Sequence, residues 1–382
     1  MQKPKAFEKP VGFRDYPPRL AEKKREIEQQ IQACFTRWGY REIVTPTLEF
    51  YDTVGQASAI PEEKMFKCMD RAGHTLVLRP DQTAPIARVV SSILDKESLP
   101  LRLCYHANVF RAQENEAGRN AEFYQSGVEL IGPSSAWADA EVIALSIEAL
   151  RACGIPRFRL SIGHVGFVKA WMEERLSNPE IIERLKRFFE QRNRVGFQQL
   201  VEQLPIAEAR KQELLALLRF HEVPFAYFLQ KTQSEVVTKS LEHLCEVWDD
   251  LKDWGFDAYI TFDPTLTGSL HYYTGVVFEG YAEASGFPLL SGGRYDQLLR
   301  RFGRDLPATG FALEIDRLME AAPRINHAAQ TIHIYYPAHL RATAFQQAKK
   351  LREEGKTVIL QMDEERTSDD VVISEEEAEI NA

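Results

Sequence analysis

The stretch Thr267-Gly268-Ser269-Leu270-His271-Tyr272-Tyr273-Thr274-Gly275-Val276-Val277-Phe278-Glu279, with Ser291-Gly292-Gly293-Arg294-Tyr295-Asp296 a short way beyond it, decides how the chain reads. Two tyrosines stand before a β-rich run, and a glycine pair leads into an arginine, a tyrosine and an aspartate. In a regular strand neighbouring side chains face opposite sides. Tyr272 and Tyr273 therefore reach one pocket only if the chain bends or if Tyr272 sits at the start of the strand. Paired strand aromatics are the alternative. The glycine pair offers two readings as well, a backbone nest for a phosphate or a plain turn into a strand.

Working backwards, Asn108 to Gly132 has β-rich flanks around a polar middle that contains glycine, the pattern of an antiparallel hairpin. On its second strand Gln125, Gly127 and Glu129 recur at period two and share a face, while Val128 and Leu130 face the other way. A buried carboxylate is costly unless a cation or a donor meets it. Glu129 is therefore expected to face a positive or N–H-bearing ligand group. Further upstream, Thr75 to Leu78 reads as a strand that turns through Arg79-Pro80-Asp81-Gln82-Thr83 into a helix ending near Ile93. Asp81 and Thr83 either cap that helix or supply the acceptors an ammonium needs.

Leu20, Ile27, Ile31, Cys34, Phe35 and Trp38 fall at helical spacing before Gly39, and Tyr40 to Thr45 reads as a strand stopped by Pro46. From Val165 to Trp254 the pattern is helical, broken at Pro179, Pro205 and Pro224. Near the end, Thr331 to Tyr336 and Thr357 to Leu360 read as strands around a helix from Leu340 to Glu354. That makes one βαβ unit, followed by acidic chain.

Taken in order, these segments resemble the three motifs of class II aminoacyl-tRNA synthetases and the two histidine-site segments of histidyl-tRNA synthetases, over Pro4 to Leu318. The resemblance implies an α+β fold, an antiparallel sheet core with flanking helices and a helical insertion. It also implies that Asp81, Thr83, Arg111, Gln125, Glu129, Tyr272 and Tyr273 bind histidine, with Glu129 and a tyrosine hydroxyl on the two imidazole nitrogens. Arg111 and Arg317 match family contacts to nucleotide phosphates, which leaves ATP binding open. The chain departs from the synthetase pattern where the chemistry is done. Gly268 replaces the activating arginine, Gln113 replaces an adenine-contacting glutamate, and Ala121 stands where an arginine is expected.

Composition agrees with a binder of a small molecule. The 382 residues are 44% hydrophobic, enough for two or three folding units. No run approaches the roughly 20 apolar residues of a membrane span, and the first ten residues lack an apolar signal stretch, so a cytoplasmic protein is expected. The five cysteines show no paired spacing and read as reduced, mostly core residues. No metal site or cofactor is called for. Of the net charge of -9, Asp363 to Ala382 carries -8, with nine acidic residues against Arg366 alone. A nearly neutral body and an anionic tail disfavour tRNA as partner.

The expected organisation is 1–164 for the first part of the core, 165–254 for the helical insertion, 255–325 for the second part of the core, 326–362 for a truncated βαβ unit and 363–382 for a flexible acidic tail. The lost arginine, His271 beside the tyrosines and the missing anticodon domain make the chain resemble the regulatory subunits of ATP phosphoribosyltransferase. That likeness implies a non-catalytic protein with a short-form catalytic subunit as partner, L-histidine as effector, and a homodimer within a hetero-oligomer. A divergent histidyl-tRNA synthetase or a synthetase-like adenylating ligase are the alternatives.

Overall fold

In the computed structural model the described residues are 7–112, 120–220, 225–263, 266, 272–283, 285–323, 331–363 and 372–376. Gly268, His271, Gln113, Arg119 and Pro224 lie outside them. The chain divides into a unit ending at Pro323 and a second one beginning at Arg324.

The first unit opens with α1 (Pro18–Arg37). Pro18 suits its first turn, where no intrahelical N–H bond is lost, and Ile27, Ile31, Cys34 and Phe35 form its buried stripe. Gly39 follows at φ +81°, a left-handed conformation that glycine adopts without penalty. Next come β1 (Arg41–Glu42), β2 (Leu48–Phe50), β3 (Lys67–Met69) and β4 (Thr75–Leu78), then α2 (Thr83–Val90), which ends a turn earlier than its sequence suggested. The hairpin is β5 (Leu101–Phe110) and β6 (Glu122–Ile131), paired antiparallel with Leu103 opposite Glu129. After α3 (Ala136–Ala152) and β7 (Phe158–His164) the helical insertion runs through α4 (Val165–Arg175), α5 (Pro179–Glu190), α6 (Arg194–Gln203), α7 (Glu208–Leu215), α8 (Phe225–Lys231) and α9 (Glu235–Asp253). The chain returns as β8 (Ile260–Phe262), β9 (Val276–Ala282), β10 (Leu290–Arg294), β11 (Ala308–Glu314) and α10 (Ile315–Ala321).

Eight strands form the central sheet in the order β1-β5-β6-β11-β10-β9-β7-β8. Its pairs are antiparallel except β1 with β5 and β7 with β8. β2, β4 and β3 make a separate small sheet. The strand expected over Tyr40 to Thr45 shrinks to two paired residues.

α3 packs against α1 and α9 as well as against β6, β10 and β11, so nearly all of its side chains are buried, not one stripe alone. Its two buried carboxylates are answered by charge. Glu141 accepts two hydrogen bonds of 2.8 Å from Arg102 and one of 2.9 Å from Tyr40 Oη, and Asp139 is met by Arg294. The insertion has its own aromatic core, in which Phe167, Trp171, Phe197 and Phe228 are fully buried. Its breaks carry caps: Asn178 Oδ1 accepts from Glu180 N just before Pro179, and Ser234 Oγ accepts from Val237 N.

In the second unit, β12 (Thr331–Tyr336) and β13 (Thr357–Met362) pair in parallel around α11 (Arg341–Glu353), with Ile332, Ile334, Ala344, Ala348 and Val358 as core. A third strand, β14 (Val372–Glu376), pairs antiparallel with β12. It lies inside the stretch read as a flexible tail, where the acidic composition hid the apolar pair Val372-Ile373 that starts it. All five cysteines are free; Cys34, Cys104 and Cys153 are buried and Cys68 is exposed.

Candidate functional site

β6 runs next to the sheet's middle with β11 as neighbour, and Glu129 stands opposite Gly310. A Cβ on Gly310 would sit 2.1 Å from Glu129 Oε2, so only glycine leaves room for the carboxylate. Around it gather Asp81, Gln82 and Thr83 from the β4–α2 turn, Tyr105 from β5 and Arg111 just past it. Gln125, Tyr272, Tyr273, Ser291, Tyr295, Ala312 and Glu314 complete the wall of a cleft of about 500 Å³, counting space open to solvent.

All seven residues expected to bind histidine line this one cleft. Tyr272 and Tyr273 both reach it because they precede β9, so strand alternation does not apply to them; their rings meet edge to face at 5.2 Å. Glu129, 2% exposed, accepts a 2.8 Å hydrogen bond from Thr83 Oγ1 and another from Tyr295 Oη. Two hydroxyls are thus its protein partners, and the positive or N–H-bearing group expected to face it belongs to a ligand. Asp81 Oδ1 accepts from Ala84 N at 3.0 Å in the first turn of α2, as the capping reading expects, and Oδ2 accepts from Ser58 Oγ. Gln125 Nε2 donates to Glu314 at 3.0 Å. Arg111 Nε donates to Pro80 O at 2.8 Å, and its guanidinium lies 5.1 Å from the Phe123 ring centre.

Arg317 is not among the residues lining the cleft; it donates to Pro288 O at 2.6 Å and packs over the Phe287 ring. The glycine pair forms no phosphate nest, since Gly292 and Gly293 lie within β10. A Cβ on Gly293 would press into the Tyr273 ring at 2.9 Å, so this glycine exists to seat an aromatic wall. At Ala121 the backbone N–H donates to Gly12 O at 2.7 Å, and a Cβ on Gly12 would meet the Ala121 methyl at 2.6 Å. The N-terminal segment covers the position where an arginine was expected.

Eight of the fifteen lining residues were not among the seven expected, Tyr105, Tyr295 and Glu314 among them. Glu314 lay in the segment 309–318 that resembles the third class II motif without being singled out, and Tyr105 carried no motif signal. Tyr295 did carry one, the Arg-Tyr-Asp triplet after the glycines.

Burial pushes the Glu129 carboxyl up to about 8; the nearby charge of Asp81 adds to this, while the bonds from Tyr295 and Thr83 oppose it. Burial likewise raises the hydroxyls of Tyr105, Tyr272, Tyr273 and Tyr295, which stay neutral donors. Among the charged groups of the wall, Asp81, Glu129 and Glu314 face Arg111. Such a wall suits a zwitterion with an ammonium and a further N–H group. Because the folded pKa of Glu129 is raised, its effect on the empty protein is a stability that falls as pH rises from the unfolded carboxyl value to about 8. A ligand donor on Glu129 favours the carboxylate. Binding near pH 7 is then expected to release a proton, and affinity to rise with pH toward about 8. Calorimetric titration in two buffers of different ionisation enthalpy reads the released proton directly; identical heats in both would refute it.

Sheet order, hairpin, pocket tyrosines and insertion together define a class II aminoacyl-tRNA synthetase-like protein with an amino-acid-sized pocket. The family model described as "Histidyl-tRNA synthetase" matches residues 12–318. A histidyl-tRNA synthetase structure from Nostoc sp. PCC 7120 shares the fold, with a TM-score of 0.80 at 20% identity, covering 95% of this chain and 88% of that one. The nearer likenesses are more specific. The ATP phosphoribosyltransferase regulatory subunit of Geobacillus sp. (strain WCH70) is 46% identical over 93% of this chain and 91% of its own. A crystal structure titled as an ATP phosphoribosyltransferase regulatory subunit/histidyl-tRNA synthetase from Bacillus halodurans C is 43% identical, with a TM-score of 0.88 over 96% of both chains. The chain belongs to the family of ATP phosphoribosyltransferase regulatory subunits. No helix among the described residues is long and apolar enough to cross a membrane.

Proposed function

We propose that this chain is the histidine-sensing, non-catalytic subunit of a two-protein ATP phosphoribosyltransferase, the enzyme that begins histidine biosynthesis. The observation that carries the reading is the convergence of Asp81, Thr83, Arg111, Gln125, Glu129, Tyr272 and Tyr273 on one cleft. L-Histidine matches that wall group by group. Its ammonium finds Asp81 and the Gln125 amide oxygen, its carboxylate finds Arg111, and its flat imidazole offers two edge nitrogens to Glu129 and a tyrosine hydroxyl.

Sensing without chemistry follows from what the cleft lacks. Arg317, which would hold distal phosphates in a synthetase, is tied to Pro288 O, and Gly268 has no charge to set against a reacting carboxylate and phosphate. The partner on this reading is the short-form catalytic subunit. The chain works as a homodimer within a hetero-oligomer in the cytoplasm, without tRNA. Feedback inhibition needs only that histidine favour one state of the assembly, by about 1–3 kcal/mol of coupling. The test is to mix the chain with the short catalytic subunit: phosphoribosyl-ATP formation is expected to depend on the mixture and to fall with histidine.

A further inference from the structure

The best-connected side chain near the cleft lines none of it. Arg294 ends β10, is 4% exposed, and directs its guanidinium at the start of α3 and at Asp296. Nε donates to Asp139 Oδ2 at 3.0 Å, Nη1 to Pro133 O and Asp296 Oδ1 at 3.1 Å each, and Nη2 to Ser135 O at 3.3 Å. Its backbone holds the cleft from two sides. Arg294 O accepts from Thr274 N at 2.8 Å, which fixes the residue after the tyrosine pair. The next residue, Tyr295, bonds Glu129. Asp296 closes the loop by accepting from Ala308 N at 3.1 Å, while its own N–H donates to Thr274 Oγ1 at 3.0 Å.

The same Asp139 oxygen also accepts from the helical insertion, through His243 Nε2 of α9 at 2.7 Å. Asp139 is fully buried. A buried carboxylate shared by two donors ties those donors together, because moving either one leaves charge without a partner. At the start of the insertion's first helix a second tie exists: Val165 N donates to Gly275 O at 3.0 Å, beside Thr274.

We propose that Asp139, Arg294 and His243 form a positioning network through which the seating of the helical insertion sets the geometry of the ligand cleft. His243 is the positioning residue: it touches no wall of the cleft, and it acts through Asp139 and Arg294 on Tyr295 and on the Tyr272–Thr274 segment. Linkage makes the effect reciprocal, so a ligand that orders the tyrosines also steadies α9. The inference rests on the reading of the cleft as a histidine site.

The test uses the full chain with His243→Leu, which removes the hydrogen bond at similar volume, and His243→Gln, whose amide nitrogen replaces Nε2. His243→Leu is expected to weaken L-histidine binding about tenfold, and His243→Gln to recover most of it. Hydrogen exchange adds a readout that general weakening of the fold would not move: L-histidine slows exchange in α9 of the wild-type chain and of His243→Gln, and leaves α9 of His243→Leu unchanged. Wild-type affinity in His243→Leu, with α9 exchange still slowed by histidine, would overturn the network while leaving the cleft reading intact. No histidine binding by the wild-type chain would remove the cleft reading and the network with it.

Discussion

Replacing Glu129 with alanine is expected to raise the histidine concentration needed for half-inhibition of the reconstituted enzyme by roughly 100-fold, equivalent to about 3 kcal/mol of lost binding. Glu129 is the buried carboxyl at the centre of the cleft, and its two protein partners are hydroxyl donors only. On the proposed function, removing it deletes the acceptor for the imidazole edge, and it leaves Thr83 and Tyr295 without theirs. Activity in the absence of histidine is expected to stay near the wild-type level, because the residue lies in the cleft proposed for the effector. Glu129→Gln serves as a control of shape: it keeps an acceptor but cannot ionise, so its proton release on binding is expected to vanish. Unchanged inhibition of the Glu129→Ala complex would show that histidine acts elsewhere.

A second large effect is an absence of chemistry. With ATP and histidine alone, the chain is expected to exchange pyrophosphate into ATP at no more than background. Removing one preorganised charge from such a transition state costs on the order of 100 to 1,000-fold in rate. Gly268 stands at that position. Gly268→Arg is expected to stay silent too, since Arg317 is engaged by Pro288 O and Gly12 covers Ala121. Histidine-dependent exchange at synthetase-like rates by the wild-type chain would overturn the non-catalytic reading.

The cleft was legible to the extent that its residues sit in local patterns. Period two along β6 put Gln125, Gly127 and Glu129 on one face, and the strand-turn-helix around Asp81 and Thr83 placed them at one loop. What answers Glu129 was not legible, because Tyr295 arrives from beyond β10 and Thr83 from the turn between β4 and α2. A sequence gives the face of a strand but not the register of its neighbours. Gly292 and Gly293 stayed open between two readings for a related reason: glycine marks close approach, and only the fold says whether a phosphate or the Tyr273 ring approaches. Arg317 kept its motif position while its guanidinium turned to Pro288 O, a choice set by the preceding loop. β14 hid in a segment whose charge suggested a free tail; backbone pairing with β12 asks only for an open edge and a few extended residues.

The most direct test of the account is phosphoribosyl-ATP formation by the purified chain, by the short catalytic subunit, and by their mixture, each with and without L-histidine. Activity that depends on the mixture and falls as histidine is added is the predicted result. Two well-folded proteins that neither associate nor stimulate one another would contradict it.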